Sequence, residues 1–198
     1  MEEPPMIKWH IFHTLGKLLE VNTLDKLSVK DICKACNISR QTFYRHFPDK
    51  YSIVNWHFDL LSEDTLKQIG RTLTWYQAHV KLFTYFYNER TVYTRAYSKD
   101  YNALDRYAYR QASKIFIETL TEYKKINPTQ KLLFQADATA LLCSILSSKW
   151  IFGGMKETPE EFATLLDAVL PQELKSILEK DLPSLERARQ LVKARSLI

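Results

Sequence analysis

The residues best suited to chemistry in this 198-residue chain stand together between Ser39 and Lys50, in the run Ser-Arg-Gln-Thr-Phe-Tyr-Arg-His-Phe-Pro-Asp-Lys. On a helix, Arg40, Gln41, Tyr44 and Arg45 share one face, while Phe43 and Phe47 turn to the other. Arginine bonds the guanine edge bidentately and glutamine the adenine edge, whereas Ser, Thr, Tyr, His and Lys suit phosphate oxygens. Charge gathers in the same place: residues 26–50 carry six Lys and Arg against two Asp, whereas residues 1–25 carry two Lys against four acidic groups. A solvated basic helix face is the plainer reading of such charge. The pairing of base-reading and phosphate-binding side chains on one face points instead to a nucleic acid.

Other chemistry is thinly represented. Cys33 and Cys36 are spaced as a metal or redox pair, but the third cysteine, Cys143, is far along the chain and no second pair follows. They read as small core residues in a reduced compartment. His10 and His13 could share a helix face, with no carboxylate or thiol to complete a ligand set. No nucleophile–base pattern, phosphate-cradling glycine loop or paired carboxylate stands out, so no enzyme activity, metal or cofactor is expected.

The elements that must carry the basic face are helical. Four Gly are too few for a turn-rich β fold, and the seven Pro punctuate long periodic stretches. Residues 5–21 read as a first helix, with Ile7, Ile11, Leu15, Leu18 and Leu19 at three- and four-residue spacing. One local grammar then appears twice. Ser28 caps a helix, with Asp31 three residues on and Leu27 before it. Ser39 caps the next, with Ile38 before it. Asn37 sits at the reversal, where a left-handed residue is needed. Two short capped helices with a tight turn form a helix-turn-helix. Pro48 and Asp49 open a connector helix over about 49–69.

Helices follow near 75–88, 92–98, 101–125 and 128–153, at 159–170 behind the cap Thr158-Pro159-Glu160-Glu161, then at 172–180 and 183–196. The fold class is all-α, with a helix-turn-helix domain over 1–50 and a larger helical domain over 51–198.

The run from Ser28-Val29-Lys30-Asp31-Ile32 through Ile38 to Lys50 resembles the DNA-binding domain of the TetR family of regulators. Where that family usually has Ala-Gly before the second helix, this chain has Cys36-Asn37. Where it commonly has Gly or Lys, this chain has Gln41, which alters the operator that would be read. The resemblance implies that Ser28 and Lys50 contact phosphates, that Arg40, Gln41 and Thr42 face bases in the major groove from a helix capped by Ser39, that Tyr44 and His46 touch the backbone, and that Arg45 does either. It implies a cytoplasmic regulator of transcription, by default a repressor, governed by a small-molecule effector.

Ten of the eleven tyrosines lie between residues 51 and 123. An aromatic cavity with a few polar tips is what a small-molecule site looks like, although amphipathic helix cores look similar. Trp56, His57, Leu60, Trp75, Tyr76, His79, Phe83 and Tyr107 are the candidate lining, with the connector helix as a lever to the DNA-binding end. One helix-turn-helix reads too few base pairs, so a homodimer on palindromic double-stranded DNA is expected. Leu141, Ser144, Ile145, Ser148, Phe162 and Leu166 are its candidate interface. The stretch Trp150…Gly153-Gly154-Met155…Thr158-Pro159-Glu160-Glu161 is similar to the dihydroxyacetone-kinase-operon subgroup of the family, which implies a co-regulator protein as the alternative signal. No apolar run approaches the ~18 residues of a membrane span.

Overall fold

The computed structural model describes residues 6–96, 101–180 and 182, with side chains from residue 105 onward in the second stretch. Among them are ten α-helices and no strand: α1 Met6–Leu19, α2 Val29–Cys36, α3 Arg40–His46, α4 Ser52–Asp64, α5 Trp75–Asn88, α6 Arg90–Ala96, α7 Tyr101–Glu118, α8 Gln130–Phe152, α9 Pro159–Ala168 and α10 Gln172–Glu179. The helix read over 183–196 lies outside the described residues. No described helix is long and apolar enough to cross a membrane.

The local signals at the N-terminal end act as their chemistry dictates. The Ser28 hydroxyl accepts from the Asp31 amide while Asp31 accepts from the Ser28 amide at 2.9 Å, a complete capping box that satisfies two orphan donors. Asn37 ends α2 in the left-handed region at φ 53°, where its amide reaches the Cys33 and Lys34 carbonyls. Ser39 caps α3 through the Thr42 amide at 3.0 Å. Ile11, Leu15, Ile32, Phe43 and Phe47 close the small core beneath, each at 2% exposure or less.

Two helices differ from the sequence reading. The connector α4 ends at Asp64, not near Ile69. The Ser62 and Thr65 hydroxyls turn back on the carbonyls four residues earlier, Phe58 and Leu61, at 2.8 and 2.7 Å. Such back-bonding bends a helix, and the chain passes into a 3₁₀ turn at Leu66–Gln68. Gly70 follows at φ +75°, and a Cβ there would stand 2.8 Å from the Leu178 carbonyl of α10, so only glycine fits. At the far end of α7 the helix loosens into a π turn at Thr119–Tyr123 instead of running regularly to Lys125.

In the C-terminal region α7 lies along α8 and α5 along α9. Thr74 and Thr158 each form a capping box, with Gln77 and Glu161 respectively. Trp150 stacks on Phe162 at 5.0 Å with rings nearly parallel, and its indole N–H donates to the Glu157 carbonyl, fastening the α8–α9 turn. Hydroxyl–carboxylate bonds tie α7 to both neighbours. Tyr107 donates to Asp59 of α4 at 2.6 Å, and Tyr109 and Ser113 donate to Asp137 of α8 at 2.8 Å.

Candidate nucleic-acid interface and effector cavity

The α3 face has the composition and exposure of a reading surface. Arg40, Gln41, Tyr44 and Arg45 are exposed, while Phe43 and Phe47 anchor the opposite side. Tyr44 stands edge-on to Phe43 at 5.5 Å, which props its hydroxyl outward. Among the described residues no ion pair engages Arg40, Arg45, Lys30 or Lys34, so these cations are unspent. Thr42 is half-buried and shares a 3.0 Å hydroxyl contact with Ser39, so it serves the cap as well as the face. Burial and the nearby Arg45 and Lys8 hold the His46 imidazole below its ordinary pKa, so it stays neutral at pH 7.

Lys50 has different work from the phosphate contact expected of it. Its ammonium donates to the carbonyls of Leu24, Asp25 and Leu27 at 2.8, 3.1 and 2.8 Å, which uses all three of its protons. It therefore ties the start of α4 to the turn that launches α2. Lys50→Met is expected to lower stability by roughly 1–3 kcal/mol, the range for losing partners of a charged donor, and to shift the urea midpoint accordingly. An unchanged midpoint would return Lys50 to the phosphate role. Lys8 of α1 went unnoticed in the sequence: its ammonium lies 5.3 and 5.7 Å from the Phe47 and Trp56 ring centres, a contact spanning some forty residues that no local pattern announces.

The C-terminal region holds a small apolar cavity of about 40 Å³ bounded by α4, the 3₁₀ turn, α5, α7 and α8. His79, Phe116, Ala112, Cys143, Ser147 and Phe58 are among its walls. Of the eight residues expected to line a pocket, His79 alone does so. His57 is buried in the joint between α1, α4 and α6, stacked on Phe12 at 3.9 Å, with Nδ1 at 2.9 Å from the Tyr93 hydroxyl. Trp56 packs beside Trp9 and Phe47 in the same joint. Trp75 and Phe83 are fully buried outside the walls. Leu60, Tyr76 and Tyr107 are half-buried and also lie outside them.

The dimer assignment needs a similar correction. Ser144 and Ser148 line the cavity, and Phe162 and Leu166 are spent in the protomer's own core. The helix that packs along α8 is α7 of the same chain. What remains uncovered is the exposed edge beside them: Phe134 at 74% exposure and Leu141 at 45% on α8, Leu165 at 57% on α9 and Val169 at 50% just past its end, with Ile145 half-buried one turn beyond Leu141.

Cys33 and Cys36 are free and buried, and burial raises both thiol pKa values, so neither is an activated thiolate. No group of three His, Cys, Asp or Glu among the described residues could hold a metal ion.

Comparison with known proteins agrees with this layout. A family model described as "Bacterial regulatory proteins, tetR family" matches residues 17–55, and one described as "Transcriptional regulator C-terminal region" matches residues 73–172. Among solved structures, the "Dihydroxyacetone kinase operon activator DhaS" superposes with a TM-score of 0.61 at 18% identity, covering 87% of this chain and 98% of that one. The TetR family repressor AlkX from Dietzia sp., implicated in biodegradation of n-alkanes, superposes at 0.54 and 18% identity, covering 90% and 99%. A tetR-family regulator from Streptomyces coelicolor does so at 0.50 and 14%, covering 98% and 99%. At these identities the likeness is one of fold. No curated protein matches significantly.

Proposed function

The chain belongs to the TetR family of bacterial transcriptional regulators, DNA-binding proteins and not enzymes, and from that premise we propose that it is a cytoplasmic, homodimeric repressor that occupies a palindromic operator and is released by a small-molecule effector bound in its C-terminal region. The observation that carries the DNA-binding part is the α3 face: two unpaired arginines, a glutamine and a tyrosine exposed on one side of a helix whose other side is locked by Phe43 and Phe47. Arg40 and Gln41 face the bases. Tyr44, His46 and the α2 N-terminus at Ser28 meet the phosphates, and Arg45 reaches either.

Selection of bound sequences from a random DNA pool tests this and delivers the operator at once. A two-fold symmetric consensus with half-sites about one helical turn apart is expected; no enrichment would refute the reading. On the selected site, Gln41→Ala should cost roughly 1–3 kcal/mol and relax preference at one or two base pairs per half-site. Base preferences untouched by Gln41→Ala would show that another face of α3 does the reading.

A second reading keeps the DNA-binding role and replaces the metabolite by a co-regulator protein. The size of the cavity favours it, since ligand sites commonly span some 300–1,000 Å³ and this one is about 40 Å³. Pull-down with the purified homodimer as bait, with and without operator, separates the two.

A further inference from the structure

The cavity is apolar with a polar end, and the polar end is unfinished. His79 Nδ1 lies 2.9 Å from the Trp75 carbonyl, which can only accept, so the neutral ring carries its proton on Nδ1 and turns a lone pair outward at Nε2. No described residue donates to that nitrogen. Ser144 donates its hydroxyl to the Leu141 carbonyl at 2.8 Å, leaving its oxygen free to accept. Ser147 and Ser148 also line the wall, and no hydrogen bond engages their hydroxyls among the described residues.

Behind them, the Trp75 indole N–H is buried without a partner among the described residues, in a ring 4.2 Å from His79 and 5.4 Å from Phe116, both of which line the cavity. The Thr119 hydroxyl, three residues beyond Phe116 and at the start of the π turn, is likewise buried and unpartnered. Buried polar groups without partners are uncommon, because each forfeits its hydration without a replacement bond. The groups that face the cavity itself are His79 Nε2 and the Ser147 and Ser148 hydroxyls.

The walls also decide charge. They contain no Asp, Glu, Lys or Arg. Desolvation holds His79 neutral, with its pKa pushed down to about 4, and keeps the Cys143 thiol protonated, pushed up to about 12. An anion entering such a space would lose its hydration and meet no cation in the walls, and the Asp167 carboxylate already acts on His79. The unfilled positions comprise an acceptor at His79 and hydroxyl donors at Ser147 and Ser148. A hydroxyl group supplies both complements, whereas a ketone or ether lacks the donor and an alkane lacks both.

We propose that this cavity binds a neutral, mainly apolar molecule bearing one hydroxyl group, an alcohol or phenol, whose oxygen sits among His79, Ser147 and Ser148 and whose body parts α7 from α8. The proposal rests on the reading of the C-terminal region as an effector domain. In this structure the space is small: about 40 Å³ admits only a few water-sized groups. The α7 wall sets the small side chains of Ala108 and Ala112 beside Phe116, and the helix ends in a π turn, a geometry frequent where helices serve function.

The test uses the full chain and three probes of similar shape: phenol, toluene and benzoate. Binding is read by quenching of tryptophan fluorescence, since Trp75 adjoins the site, and by the shift in melting temperature. Phenol is expected to bind at least ~10-fold more tightly than toluene, because a site built for a hydroxyl rejects the analogue lacking it, and benzoate should not bind. His79→Leu should bring phenol and toluene to within about twofold of each other. If that variant does not fold, Ser148→Ala should narrow the same ratio.

Equal binding of phenol and toluene, preferential binding of benzoate, or no binding of any probe at millimolar concentration would overturn the proposal. Operator binding is measured on the same preparation. Loss of probe binding with operator binding intact refutes this inference alone, whereas probe discrimination without any DNA binding refutes the regulator reading and leaves the site standing.

Discussion

The Leu165→Asp protein is expected to be a folded monomer that binds the selected operator roughly 10²- to 10⁴-fold more weakly than the parent, the loss that follows when two tethered contacts become one. Leu165 is more than half exposed, with Val169 one turn further on, and Phe134 and Leu141 are exposed on α8. Large apolar side chains grouped on the surface of a small protein mark an association face. Because the residue faces solvent in the protomer, the substitution should leave stability within about 0.5 kcal/mol. Ile145→Asp should behave similarly with a greater cost in stability, being half-buried. Leu166→Asp would be uninformative: that side chain is 1% exposed, and a charge there would unfold the protomer before it disturbed a partner. Sedimentation of the parent protein as a monomer at micromolar concentration would sink the assignment.

Acid should destabilise the protein well above the pH at which its carboxylates protonate. His57 and His79 are buried, and desolvation pushes both down to about 4 from an ordinary 6.5. In the unfolded chain both imidazoles bind protons near pH 6.5, whereas in the folded chain they resist until about 4. The stability they contribute is therefore present above 6.5 and drains away between 6.5 and 4, at up to about 1.4 kcal/mol per pH unit for each. Going from pH 7 to pH 5 should remove roughly 3–4 kcal/mol in all by this arithmetic. Asp59 acts in the opposite sense: burial raises its pKa, so protonation relieves a cost at the acid end. Urea unfolding at pH 7.5 and pH 5.0 measures the difference, and His57→Gln should remove about half of it. Equal stability at the two pH values would mean that the imidazoles are not desolvated as the structure has them.

The helix-turn-helix was legible because its determinants are local. The capping box at Ser28 and Asp31, the left-handed Asn37 and the Ser39 cap each act within a few residues, and the alternation of Phe43 and Phe47 with Arg40, Gln41 and Tyr44 assigns inside and outside without tertiary information. Lys50 was not legible in the same way. Its position suggested phosphate, but its three acceptors lie 23 to 26 residues earlier, on the 3₁₀ turn Leu24–Lys26 and its cap Leu27, which no periodicity announced. In α8 the difficulty is of another kind: apolar and small side chains run around its whole circumference, so sequence alone cannot say which stripe meets α7 and which is left outside. Ser144 and Ser148 of α8 turn inward against the outward reading for that reason, and Phe162 and Leu166 of α9 turn inward with them. The aromatic middle of the chain failed similarly, since a tryptophan in a core and one beside a cavity have the same neighbours in sequence.

Gly16 is a quiet feature of α1 with a mechanical corollary. A Cβ there would meet Val92 of α6 at 3.6 Å, ordinary contact distance, so alanine would be accommodated and anything bulkier would wedge the two helices apart. The DNA-binding end is thus mounted at two points: through the unbroken chain of α4, and through α6 pressed against α1, with the His57–Tyr93 bond bracing the pair. A body on one flexible arm can wag in any direction, but one held on two pins swings about the line that joins them. Whatever disturbs α8 reaches α6 directly, because the two helices touch, and the reading heads of a dimer would then open or close like a pair of hinged doors instead of drifting.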